Sequence, residues 1–142
     1  MTNAILLVED NEMDIVLTLD AFGQILPEAA IHVARNGREA LDYLFGVGKY
    51  EDRERYPLPD LVLLDLKMPG INGHDVLCQV KDNNDLKRIP VIVLSSSSVD
   101  KDIHRSYDLG ANSYLVKPLV FDEFIDMVKR IGDYWLSINQ HP

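Results

Sequence analysis

Four short apolar runs in this chain each end in a group suited to acid, metal or phosphate chemistry. Ala4-Ile5-Leu6-Leu7-Val8 runs into Glu9-Asp10, Leu61-Val62-Leu63-Leu64 into Asp65, Val91-Ile92-Val93-Leu94 into Ser95, and Ser113-Tyr114-Leu115-Val116 into Lys117-Pro118. If the runs are parallel strands, these groups share the rim where ligands of open sheets collect. Carboxylates crowded together raise one another's pKa, and a divalent cation removes the conflict. An all-oxygen ligand set suits Mg2+, which works with one or two carboxylates plus a phosphate and keeps several waters. On this reading Asp10 and Asp65 are direct ligands, the Lys67 backbone carbonyl is a third, and Glu9 acts nearby through water. A carboxylate held in this way can attack a phosphoryl donor, making Asp65 the site of an aspartyl phosphate. Lys117 would pair with Asp65 at rest and with a phosphoryl oxygen afterwards, while Ser95 would donate its hydroxyl to another.

Each residue alone has a plainer role. Asp10 or Asn11 could cap the helix that follows, Lys117-Pro118 could be a turn, and Ser95-Ser96-Ser97-Ser98 a polar loop. Only their joint placement at the ends of successive strands gives the site. Gly70 and Gly73 would serve the turn into the third helix, with Asn72 as its cap. His32, His74, His104 and His141 are scattered and lack zinc spacing. Cys78 has no partner for a disulfide and is expected to be a small buried or half-buried core residue.

The elements that must position the rim follow from hydrophobic periodicity. Strands are predicted near 4–9, 30–34, 60–65, 90–95 and 113–117, and helices near 12–26, 36–46, 73–84, 99–108 and 119–138. Five alternating βα units point to a doubly wound α/β fold with a parallel sheet. The runs at 61–64 and 91–94 are apolar throughout, as central strands are, whereas Ile31-His32-Val33-Ala34 and 113–116 mix in polar residues and suit edges. The order 2-1-3-4-5 then sets Glu9, Asp10 and Asp65 across the switch point between the first and third strands.

Two stretches exceed this frame. Residues 46–59 form a charged, turn-rich insertion entering at the opposite, amino ends of the strands, and are expected to be a solvated surface feature. The last helix carries Phe124, Val128, Ile131, Trp135 and Ile138 on one apolar seam. Continued past the sheet beside Tyr134, that seam suggests a homodimer or partner groove.

The 142 residues suit a single domain. A net charge of −9 argues against nucleic acid as a partner. No apolar run approaches the roughly 20 residues of a membrane span, and the start lacks the features of a signal peptide. No membrane association and a cytoplasmic location are expected.

Val8-Glu9-Asp10-Asn11, Leu63-Leu64-Asp65-Leu66-Lys67-Met68-Pro69-Gly70, Val93-Leu94-Ser95-Ser96 and Tyr114-Leu115-Val116-Lys117-Pro118 together resemble the motif set of two-component response regulator receiver domains. The resemblance covers about residues 3–135. It implies the flavodoxin-like (βα)5 fold and transfer of phosphate to Asp65 from a sensor histidine kinase with Mg2+ bound. Slow self-catalysed dephosphorylation should follow, with no other enzyme activity. Ser95, where the family more often has threonine, becomes the switch hydroxyl; Ser96 leaves access open, and Tyr114 is the aromatic that swings inward behind Ser95. The Lys117–Pro118 bond becomes a candidate cis peptide. The insertion and apolar last helix resemble stand-alone receivers that partner bacterial phytochrome kinases. No stretch beyond residue 138 is left for an output domain, so output through the kinase, a downstream phosphotransfer protein or the dimer is expected.

Three other readings compete. A flavodoxin-like flavin binder would need a phosphate-cradling loop where Glu9-Asp10-Asn11-Glu12 would repel an anion. A haloacid dehalogenase-type hydrolase would need an acid where Lys67 stands. The third is a receiver-shaped adaptor that binds partners without phosphorylation; the complete rim favours the active form.

Overall fold

In the computed structural model, which describes residues 3–142, five strands and five helices alternate along the chain. The strands are β1 (Ala4–Val8), β2 (Ala30–Ala34), β3 (Leu61–Leu64), β4 (Val91–Ser95) and β5 (Ser113–Val116). The helices are α1 (Glu12–Ile25), α2 (Gly37–Phe45), α3 (Gly73–Asp82), α4 (Asp100–Asp108) and α5 (Phe121–Gly132). All strand pairs are parallel, in the order β2-β1-β3-β4-β5, so the doubly wound, flavodoxin-like prediction holds. Among the described residues no helix is long and apolar enough to cross a membrane.

Strand alternation divides the core in two. Leu6, Val8, Val62, Leu64, Val91 and Val93 face one side, where Ala40, Leu41 and Leu44 of α2 and Val76, Leu77 and Val80 of α3 cover them. Ile5, Leu7, Leu61, Leu63, Ile92 and Leu94 face the other, beneath Ile15, Ala21 and Phe22 of α1 and Phe124, Val128 and Ile131 of α5. Because β1, β3 and β4 are covered on both faces, their continuous apolar runs are a requirement of the fold.

The last helix departs from the predicted 119–138. Leu119 is 97% exposed and lies ahead of α5, and the chain beyond Gly132 winds as a π-helical turn over Asp133–Ile138. That winding bonds residue i to i+5, so the inward position after Ile131 falls on Leu136. Leu136 is buried, Trp135 is half-buried against the same core, and Ile138 is left 59% exposed, outside the predicted seam. Cys78 is exposed, contrary to expectation, because the buried face of α3 is taken by Val76, Leu77 and Val80.

The insertion is also better anchored than a solvated loop. Gly46 ends α2 in the left-handed region at φ 67°, where glycine has no Cβ penalty. Arg53 then donates to the carbonyls of Tyr43 (2.8 Å), Leu44 (2.9 Å) and Tyr56 (3.2 Å). Tyr43, Tyr50 and Tyr56 pack their rings at centroid distances of 5.0 to 6.1 Å, and the His32 ring of β2 packs at a tilt against Tyr43 and Tyr56. The Tyr43 hydroxyl donates to the Pro57 carbonyl at 2.8 Å. A charged sequence thus closes an aromatic plug beside the edge strand β2.

Candidate functional site

Each rim residue lies at or just beyond a strand end, and three are still held by the parallel ladder. The Glu9 amide donates to the Ala34 carbonyl, the Asp65 amide to Val8 and the Lys117 amide to Ser95, at 2.8 to 3.0 Å. The sheet therefore fixes their main chains, and Glu9 and Asp65 meet at the carboxyl ends of the neighbouring strands β1 and β3, where the strand order reverses. One ligand oxygen from each of Glu9, Asp10 and Asp65 lies within 4.8 Å of the others. Glu9 and Asp65 are buried and Asp10 is exposed, so the group opens toward solvent on one side.

Local structure keeps Asp10 and Asp65 out of helix capping. Asn11, not Asp10, caps α1, its side chain accepting from the Asp14 amide at 3.0 Å. Asn72 and Asp75 form a capping box at α3. Gly70 takes a positive φ of 76°. Gly73 approaches Asp65 so closely that a Cβ there would lie 2.3 Å from the Asp65 carbonyl oxygen. The predicted turn residues Gly70, Gly73 and Asn72 thus sit as expected, with Gly73 serving a close approach as well as a turn.

The electrostatics are unbalanced. Burial pushes the Glu9 carboxyl up to about 7, with the hydrogen bond from Lys117 opposing and the charge of Asp65 adding to the rise. Burial also raises Asp65, against the pull of Lys117 and the Lys67 amide toward the charged form. Lys117 is buried as well, which opposes its charge, yet hydrogen bonds to Asp14 and Glu9 hold its pKa above the ordinary value. Its ammonium lies 2.7 Å from Glu9 Oε2, 2.8 Å from Asp14 Oδ2 and 3.8 Å from Asp65 Oδ2. The expected resting pair with Asp65 is therefore the loosest of three contacts, and Asp14 is a member of the site that sequence reading missed.

Ser95 is fully buried, and its Oγ accepts the Ser97 amide at 3.2 Å. Tyr114 is turned inward and buried, its hydroxyl donating to the Ser97 carbonyl at 2.8 Å. Ser97 in turn donates to Asp102 at the start of α4. Ser97 thus joins the predicted switch pair, Ser95 and Tyr114, to α4, a link that the four-serine run concealed. Ser96 is exposed, leaving the approach open. The Lys117–Pro118 bond is trans, not cis.

The donor set of the acidic group, oxygen from three carboxylates, fits a hard divalent cation. Comparison with known proteins places this arrangement in a family. The response regulator receiver domain pattern matches residues 5–129. The probable methanogenesis regulatory protein FilR2 of Methanothrix harundinacea (strain 6Ac) is 42% identical over 138 residues, covering 97% of this chain and 86% of the relative. Response regulator Rcp1 of Synechocystis sp. (strain PCC 6803) is 39% identical over 94% of this chain and 88% of its own length. The crystal structure of the Mn(2+)-bound form of Rcp1 superposes with a TM-score of 0.92, each chain covered to 99%. The phosphorylated cyanobacterial phytochrome response regulator RcpA superposes with a TM-score of 0.95 at 39% identity, covering 100% of this chain and 99% of RcpA. Receiver domains bind a divalent metal, and the acidic group occurs in this chain with the same fold around it. With sequence, topology and site in agreement, the chain belongs to the response regulator receiver domain family and is a phosphorelay signalling protein.

Proposed function

We propose that Asp65 accepts a phosphoryl group from the phosphohistidine of a sensor histidine kinase, in a reaction dependent on Mg2+. The carrying observation is the buried Asp65 carboxylate with two more carboxylates beside it and the Lys117 ammonium at 3.8 Å. Asp10, Asp65 and the Lys67 backbone carbonyl would hold the cation, with Glu9 behind them. Bound Mg2+ would supply the charge that reconciles these groups and draws electron density from the phosphoryl oxygens.

Asp65 supplies the attacking oxygen. Its bond to phosphorus forms as the phosphorus–nitrogen bond breaks, and the imidazole nitrogen keeps the electron pair and takes a proton from water. Lys117 and the Ser95 hydroxyl then bind separate phosphoryl oxygens. The bond from the Ser97 amide uses Ser95 Oγ only as acceptor and leaves its hydroxyl hydrogen to donate, and Ser97, which also bonds Tyr114 and Asp102, would carry a movement of Ser95 to both. The only other chemistry is slow self-catalysed loss of the phosphoryl group.

Met13 and Val16 on α1 and Leu119 and Phe121 after β5 are all more than half exposed, and we infer that they offer the donor an apolar contact surface. Similarity to Rcp1 and RcpA over nearly the whole chain supports a phytochrome kinase as the partner, and with it a cytoplasmic location. The receiver acts as a single domain and passes its signal by association, to a downstream phosphotransfer protein or through a homodimer. Supporting the dimer, Leu115, Met127, Ile131, Tyr134 and Trp135 line a groove of about 720 Å³ along α5.

The deciding experiment is incubation with an autophosphorylated kinase and Mg2+, comparing wild type with Asp65→Asn. Label on the wild type alone is expected, and equal labelling of both would remove Asp65 as acceptor. For the dimer, sedimentation should show association that Trp135→Ala weakens. Monomeric behaviour of both proteins would count against it.

A further inference from the structure

We propose that Asp14 is a positioning residue that holds the Lys117 ammonium away from the phosphoacceptor at rest and releases it when an anion attaches to Asp65. This rests on Asp65 being the acceptor.

A lysine ammonium has three hydrogen-bond donors. Two are engaged by Glu9 Oε2 at 2.7 Å and Asp14 Oδ2 at 2.8 Å, while Asp65 Oδ2 at 3.8 Å is beyond hydrogen-bond reach. The two engaged partners differ in how readily they can let go. Glu9 is buried at the end of β1 and also accepts the Asn11 amide at 3.1 Å. The Asp14 carboxylate has Lys117 as its single hydrogen-bond partner among the described residues, and its side chain is 22% exposed against 4% for Glu9. Released from lysine, Asp14 can be hydrated at the pocket mouth; Glu9 would be left as a buried charge, at higher cost.

An anion on Asp65 carries new acceptor atoms toward Lys117. The ammonium then exchanges the contact that is easiest to hydrate, the one to Asp14. Asp14 is therefore a competitor for the lysine: its charge favours the unmodified state and offsets part of the attraction between Lys117 and the phosphoryl group. Its position in the first turn of α1 makes the competition local. The Asn11 cap uses the Asp14 main chain, and the Thr18 hydroxyl bonds the Asp14 carbonyl, so neither needs the carboxylate.

Asp14→Asn should leave the fold intact and strengthen binding of beryllofluoride in saturating Mg2+ by about three- to tenfold, the effect of weakening one charge-assisted contact. Calorimetric titration measures this, and Asp14→Glu should return the affinity toward wild type. In the wild type, beryllofluoride should move the Asp14 carboxylate 13C resonance to that of a hydrated aspartate and shift the Lys117 15Nζ resonance. Wild type and Asp14→Asn binding with equal affinity, or a stationary Asp14 resonance on binding, would overturn the proposal. Wild type that takes up no beryllofluoride at all would instead remove Asp65 as acceptor, and this inference with it.

Discussion

At each end of the sheet one basic side chain lies within 4 Å of three oxygen atoms, but the oxygens carry different charge. Arg53 meets the neutral carbonyls of Tyr43, Leu44 and Tyr56 where α2 ends, so its charge complements unsatisfied acceptors and the negative end of a helix. Lys117 meets Glu9, Asp14 and Asp65, with Asp10 close by, so one cation faces an excess of acid. The amino end is complete without a ligand. The carboxyl end remains unbalanced, its Glu9 and Asp65 carboxyls raised first by burial and further by the acids beside them, until a cation or an anion alters the balance. Structural and functional charge thus differ in what surrounds them, not in burial.

The sharpest separation of the two ends comes from Gly73→Ala. A Cβ at 2.3 Å from the Asp65 carbonyl forces the Asp65 loop to move, and with Asp65 as the proposed acceptor phosphoryl uptake should fall by about two orders of magnitude. Labelling by the kinase measures it, and uptake near wild type would mean that the rim is more tolerant than its geometry indicates. Arg53→Met should do the reverse: a loss of about 2–3 kcal/mol in denaturant unfolding, from three carbonyls deprived of their donor, with labelling of the folded protein unchanged. Impaired labelling at matched folding would mean that the two ends are coupled.

Metal addition should act on one end only. At ten times its dissociation constant Mg2+ should stabilise the wild type by about 1.4 kcal/mol, read as a rise in melting temperature. The double variant Asp10→Asn, Asp65→Asn should show none of that rise, and an equal rise would place the metal elsewhere. The smallest effect is expected from His74, whose Nε2 lies 3.0 Å from Ser106 Oγ between α3 and α4. Burial lowers its pKa below 6.5. As pH falls through 6.5 the unfolded chain gains the proton first, so the His74 contribution is intact above that pH and declines below it. His74→Gln should flatten that part of the decline in thermal unfolding, and an unchanged slope would assign it to other groups.

Much of the acidic end was legible because its residue types stand directly after apolar runs that only a covered strand can bear. Strand order and the gathering of the acidic trio, Ser95 and Lys117 on one rim all follow from that placement. Asp14 was not legible, since an acid in the first turn of a helix is ordinary for its interaction with the helix dipole. Nothing in the linear sequence shows that a lysine about a hundred positions later reaches it. Arg53 was hidden in a charged stretch that resembles a solvated loop, and its role depends on carbonyls, which composition does not register. The Leu136 register was lost because helical periodicity assumes uniform winding, and the turn after Gly132 changes the step.

Trp135 is the only tryptophan in the chain and packs edge-on against Tyr134, ring centroids 5.1 Å apart, on the wall of the α5 groove. The molecule therefore carries an intrinsic fluorophore at its tail. Its emission would report burial of that surface without any attached dye, so the proposed pairing between copies can be tested optically in the unaltered protein.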